Sequence, residues 1–229
     1  MLSGKILLTV IFLSLLLPVK AGKPIRELLT KGLTSGPNSW QLAMEKNGIK
    51  VYTRPREGSS IKEFMGVVVV EGSVPQLVAI LQDNTIVPQW MYHTSKGELI
   101  RKISDMEWDN YYQNFFPFPV GKRDMALRFK MSQGAGKKVS LLITSIPGAV
   151  KPENGYTRIK NAGGEITLSP LGNGETTVTY QFFADPGGYI PVFLINAFVT
   201  DDPYNTLYNL RELLKTHIHK DAAYPFISE

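Results

Sequence analysis

"ADPGGYIPVFLINAF", residues 184–198, sets a Pro-Gly-Gly break directly before a run of almost wholly apolar side chains with no evident polar face. The run is too short to cross a bilayer, which takes about 20 apolar residues, and too apolar to lie in water. It therefore needs a cover or must be one. Downstream, "TDDPYNTLYNLRELLKTHIHK" carries Leu207, Leu210, Leu213 and Leu214 at helical spacing, so the segment opens a long C-terminal helix with one apolar stripe. Asp202 before Pro203 reads as an N-cap and first-turn proline, which predicts a kink or restart there.

Upstream the pattern is different. From about residue 97 to 184 short β-rich runs ("ELIRKIS", "EWDNYYQNFF", "DMALRFKM", "KVSLLITSI", "GYTRIKN", "GEITLSP", "TTVTYQFFA") alternate with turns rich in Gly, Pro and Asn, the signature of an antiparallel meander. In "RDMALRFKM" Arg123, Met125, Leu127, Phe129 and Met131 point one way, and Asp124, Ala126, Arg128 and Lys130 the other. Ahead of the meander, "SVPQLVAILQDNTIVPQW" has helical spacing, with Ser73 as cap and Leu77, Ile80 and Leu81 on one face. A strand is expected over 61–72, whose Val67 to Val70 run suggests burial on both faces. "NSWQLAMEKNGIKVYTR" is read as a short helix and a strand joined by a turn at Asn47-Gly48. The fold class is thus α+β: a curved antiparallel sheet with one face to bury and a long helix to bury it. If the helix packs tightly the interior is a core; if it stands off, a cavity.

Residues 1–21 read as a signal peptide, with Lys5 ahead of the apolar Ile6 to Leu17 stretch and small residues Val19 and Ala21 at the cleavage site. Residues 22–36 form a helical or linker segment, 37–220 the main domain and 221–229 a tail. An exported product is expected, periplasmic in a Gram-negative source and otherwise secreted. Of 25 basic and 20 acidic residues, cleavage removes Lys5 and Lys20, leaving a net charge of about +3. That field is weak, and the runs "GKR" and "GKK" are short and sit at turns, so no nucleic-acid partner is expected. The chain has no cysteine, which rules out disulfides, a thiol nucleophile and a lipidated cysteine. His93, His217 and His219 lack metal-ligand spacing; surface roles and no metal are expected.

Several blocks together resemble the START family, the steroidogenic-acute-regulatory-related lipid-transfer domains of the helix-grip (SRPBCC) superfamily: "SWQLAMEKNGIKVYTR" at 39–54, "VPQW" at 87–90, "FPFPVGKRD" at 116–124, "GYTRIKNAGGEITLSPLGNGETTVTY" at 155–180 and "DPGGYIPVFLIN" at 185–196. They stand in family order, and an exported bacterial member is expected. The resemblance implies a helix-grip fold with an internal hydrophobic cavity for one lipid, a sterol, phospholipid or similar molecule, with no catalytic machinery and no cofactor. A monomer with transient membrane-surface contact is expected. Relatives that bind sterols or ceramides place an acid and an arginine in the cavity; aligned without gaps, those slots hold Asn110 and Phe129 here, so the interior should be less charged.

The ligand-binding set implied is Asn110, Tyr112, Arg123, Met125, Leu127 and Phe129 from the sheet, with Phe193, Asn196, Ala197 and Thr200 as a stripe on the C-terminal helix. For Arg123, pairing to backbone or a neighbouring acid is the competing role; for the helix stripe, plain core packing is. Gly187, Gly188 and Pro203 are read as hinges that let the helix lift. A sensor without transfer activity is a second reading. A polyketide cyclase is a third, drawing on Glu107, Asp109 and Tyr112 as acid-base candidates.

Overall fold

A computed structural model describes residues 39–228. The expected signal peptide and the 22–36 segment lie outside the described residues.

Asn47 and Gly48 both adopt positive φ (52° and 73°), the geometry of a two-residue hairpin turn. That turn pairs β1 (Gln41–Lys46) with β2 (Ile49–Arg56), so the helix expected before it is a strand. The Trp40 and Met44 spacing suits a helix, but cross-strand pairing decides the outcome. Trp40 is buried beneath the Arg54 guanidinium, 4.2 Å from its ring centroid.

A second turn leads into β3 (Ser59–Glu71), whose valines divide cleanly. Val68 and Val70 are core residues while Val69 is 44% exposed. The run is therefore buried on one face and not two. Ser73 Oγ accepts from Gln76 N at 3.2 Å and starts α1 (Val74–Gln82), which sets Leu77, Ile80 and Leu81 in the core. A short α2 (Val87–Trp90) follows.

The meander runs through β4 (Thr94–Ser104), β5 (Glu107–Phe116), β6 (Gly121–Gln133) and β7 (Val139–Ser145) to β9 (Asn161–Gly172) and β10 (Glu175–Asp185). The two-residue β8 (Thr157–Arg158) departs from it by pairing parallel with β6. Strand order is β1-β2-β3-β10-β9-β7-β6-β5-β4, so the β3–β10 ladder joins the opening hairpin to the meander in one curved antiparallel sheet.

The β5–β6 register is unbroken from Glu107↔Lys130 to Phe116↔Gly121. Without a bulge the alternation holds: Met125, Leu127 and Phe129 face the interior, and Arg128 lies outside against Asp109, its Nε 2.8 Å from Oδ1. Asp124, on the outer face but fully buried, accepts two hydrogen bonds from Arg158 (2.9 and 2.8 Å) and one from Tyr111 (3.0 Å). Burial pushes this carboxyl up, but these bonds outweigh it and the net shift is downward.

The last element, α3 (Val192–Leu214), lies on the concave face against β2 and β3. Contrary to the expected restart, Pro203 sits inside one helix. Asp202 does not cap; its side chain turns to His93. Pro203 removes one intrahelical hydrogen bond. Leu207 and Leu210 offset this by packing at 1% and 2% exposure. Gly66 makes the close approach possible, because a Cβ there would lie 2.6 Å from Leu207 Cδ1.

Candidate functional site

Where α3 crosses the sheet, packing leaves three small apolar cavities. The first, about 80 Å³, is bordered by Phe64 of β3, Phe182 of β10 and Ile195, Phe198, Val199 and Asp202 of α3. The second, about 20 Å³, lies deeper, against Tyr112, Met125, Leu127 and Phe129. The third, about 10 Å³, reaches Leu207 and Leu210. Phe182 borders both the first and the second; Tyr180 and Trp90 border both the second and the third. Phe64, Tyr180 and Phe182 form an aromatic partition across the interior, with ring centroids 5.1 to 6.3 Å apart. Pockets that enclose a small organic ligand run to about 300–1,000 Å³. A lipid-sized guest would therefore need a wall to move.

The structure brings Tyr112, Met125, Leu127 and Phe129 together on one wall. Asn110 is fully buried beside them, but its amide is committed: Oδ1 accepts from Asn84 Nδ2 at 3.2 Å, and Nδ2 donates to Tyr112 Oη at 2.8 Å. Asn110 thus reaches the cavity through Tyr112.

Arg123 takes the backbone role. Its guanidinium donates to the carbonyls of Val120, Lys122 (3.1 Å), Pro186 (2.8 Å) and Gly187 (3.4 Å), tying the 117–120 loop to the Gly-Gly segment. Burial alone pushes its pKa down.

On α3 the expected stripe is rotated. Phe193 is 73% exposed and Ala197 is exposed, while Ile195, Phe198, Val199 and Asp202 border the first cavity. The cause is Asn196. The β3–β10 ladder ends at Phe64↔Phe182, and Asn196 binds the strand beyond it, accepting from Lys62 N at 3.0 Å and donating to Ser60 O at 3.5 Å. This amide docks the helix on β3 and fixes its rotation. Thr200, half-buried, lies off the cavity wall. Gly187 and Gly188 both adopt positive φ, 62° and 80°.

His93, expected at the surface, has a side chain only 13% exposed, with Nδ1 3.0 Å from Asp202 Oδ1. Its ring lies among Tyr92, Phe116 and Phe198. Burial raises the Asp202 carboxyl and the His93 hydrogen bond opposes it. No spacing connects residues 93 and 202, so only the fold reveals this pair. Glu107 and Asp109 lie on the face of β5 opposite Tyr112, and Asp109 is engaged by Arg101 and Arg128. The three cyclase candidates do not converge.

Around the first cavity the surface is aromatic. Phe116 and Val120 border the cavity while Phe118, between them, is 95% exposed; Pro186 and Ile195 border it while Tyr189 and Phe193 stand out in solvent.

Comparison with known proteins places this geometry. The family model for the START domain matches residues 23–218. An uncharacterised protein of Pseudomonas aeruginosa is 33% identical over 172 residues, covering 75% of this chain and 85% of that one. The phosphatidylcholine transfer protein of Mus musculus is 30% identical over 175 residues, covering 74% and 80%. Among solved structures, a STAR-related lipid transfer protein fragment from Xanthomonas axonopodis superposes with a TM-score of 0.72 at 36% identity, covering 77% of this chain and 98% of that one.

Proposed function

The chain belongs to the START domain family, and from that premise we propose that it binds one lipid between the sheet and α3 and carries it through an aqueous compartment outside the cytoplasm. The observation that carries this reading is the coincidence at the first cavity. The helix half least fixed to the sheet, the Gly187-Gly188 break and the exposed aromatics Phe118, Tyr189 and Phe193 all meet there.

In this reading the aromatics touch a membrane surface: the amphipathic Tyr189 ring favours the interface, and Phe118 and Phe193 bury apolar area in it. The helix lifts from its N-terminal end about Pro203, and an acyl chain or ring system enters beneath it, gaining about 0.8 kcal/mol per buried CH₂. Arg123 holds both rim segments to the same strand while this happens. The protein works as a monomer, delivered by the 1–21 signal.

Native mass spectrometry of protein purified from its own host tests the reading. A mass excess that resolves to one lipid, on a chain beginning after Ala21, is the expected result. Protein that neither retains a host lipid nor extracts lipid from vesicles contradicts it. A chain that binds lipid yet moves none between two vesicle populations is a sensor and not a carrier.

A further inference from the structure

The second and third cavities differ from the first in one respect that bears on the ligand. Lys62 and Asp202 border the first; among the described residues no Asp, Glu, Lys, Arg or His borders either of the deeper two, whose polar groups are Tyr112, Tyr180, Trp90 and Thr206.

Tyr112 is 1% exposed, and its oxygen accepts from Asn110 Nδ2 at 2.8 Å. With Asn110 on the acceptor side, the phenolic hydrogen is left to donate elsewhere, and the cavity is what lies beyond. Burial keeps the phenol protonated by pushing its pKa far above the ordinary tyrosine value. Trp90, 3% exposed, has an indole Nε1 with no hydrogen-bond partner among the described residues. Indole N–H can only donate, and a buried donor without an acceptor is costly.

We infer that the deep interior is a subsite for one uncharged acceptor oxygen of a lipid, an ester or ketone carbonyl or a hydroxyl, which receives hydrogen bonds from Tyr112 and Trp90. Tyr180 borders both cavities and flanks that oxygen, and Asn110, oriented by Asn84, is the positioning residue behind Tyr112. A phosphate at this depth would be desolvated with no counter-charge. The deep cavities, about 20 and 10 Å³ at rest, already have room for a single oxygen atom. The competing occupant is a single buried water, for which this space is near the minimum. The inference rests on the lipid-binding reading and narrows its ligand to an uncharged lipid.

The test measures the uptake of three probes from vesicles by the full mature chain: dioleoylglycerol, dioleoylphosphatidylcholine and squalene, which share long apolar bodies and differ in polar group. Dioleoylglycerol is expected to bind about tenfold or more tighter than either of the others. Tyr112→Phe and Trp90→Phe should each cut its advantage over squalene several-fold to tenfold. A melting temperature close to the parent's, read on each variant without lipid, shows that it still folds. Phosphatidylcholine binding as tightly as dioleoylglycerol overturns the inference. So does a dioleoylglycerol preference unchanged in both variants, the result expected if water alone satisfies the two donors. Uptake of none of the three overturns the lipid-binding reading itself.

Discussion

The two halves of α3 are one helix held in two ways. From Pro203 to Leu214 six side chains besides the proline are buried, Leu207 and Leu210 almost completely. From Val192 to Asp202 only Val199 is. What holds that half is polar and local: Asn196 on the end of β3 and Asp202 on His93. Pro203, where an intrahelical hydrogen bond is missing, divides them. Apolar packing is expensive to open, while a few partly exposed hydrogen bonds are not, so elements that move are drawn from the second kind. The C-terminal half is an anchor, and the N-terminal half is the one the proposed function casts as a lid.

The sharpest contrast is between truncations in each half. Leu207→Ala should cost about 2–5 kcal/mol, because the removed atoms fill a site that β3 cannot close over. Phe198→Ala, half-buried on the lid, should cost under about 2 kcal/mol in the same thermal or denaturant unfolding experiment. Equal losses would erase the distinction.

Next is the break before the lid. Gly188 holds φ at +80°, a region a β-branched residue rarely enters, so Gly188→Val should destabilise by about 1–3 kcal/mol and slow lipid exchange. Unchanged exchange kinetics would move the hinge elsewhere. Asn196→Ala removes two contacts to β3 worth about 0.5–1.5 kcal/mol each. It should make exchange several-fold faster with little loss of melting temperature, whereas slower exchange would return Asn196 to ligand contact.

The smallest effect concerns charge. Burial raises the Asp202 carboxyl, so the folded protein carries a cost for keeping it ionised; the cost is absent below the ordinary carboxylate pKa and appears as pH rises through the raised value. Asp202→Asn should therefore be modestly more stable than the parent at neutral pH and equal to it in acid. On the sheet the signs are opposite: arginines hold Asp109 and Asp124 low, so stability there is lost only as pH falls through their depressed values.

The alternation in 123–131, the Ser73 cap and the turn residues made most strands of the meander and the helix after β3 legible in the sequence, because each is a local pattern with a period or a φ requirement; the β3–β10 pairing that orders the sheet is long-range and was not. The 41–46 strand was not, since six residues with helical spacing take their identity from the partner strand. The Met125, Leu127 and Phe129 side of the wall followed from period-2 alternation. The helix's facing residues did not: helical spacing gives the stripes available but not the rotation, which here depends on an amide meeting the end of β3 that β10 leaves open. The His93–Asp202 contact joins segments 109 positions apart and leaves no local trace.

The claim that the lid must lift is tested most directly by fastening it. The chain has no cysteine, so a Lys62→Cys/Asn196→Cys variant carries a single thiol pair, at a point where Asn196 Oδ1 already lies 3.0 Å from Lys62 N. Lipid exchange between vesicles is measured with the disulfide formed and again after reduction. The lid account predicts exchange abolished in the oxidised protein and restored on reduction. Equal rates in the two states would contradict it.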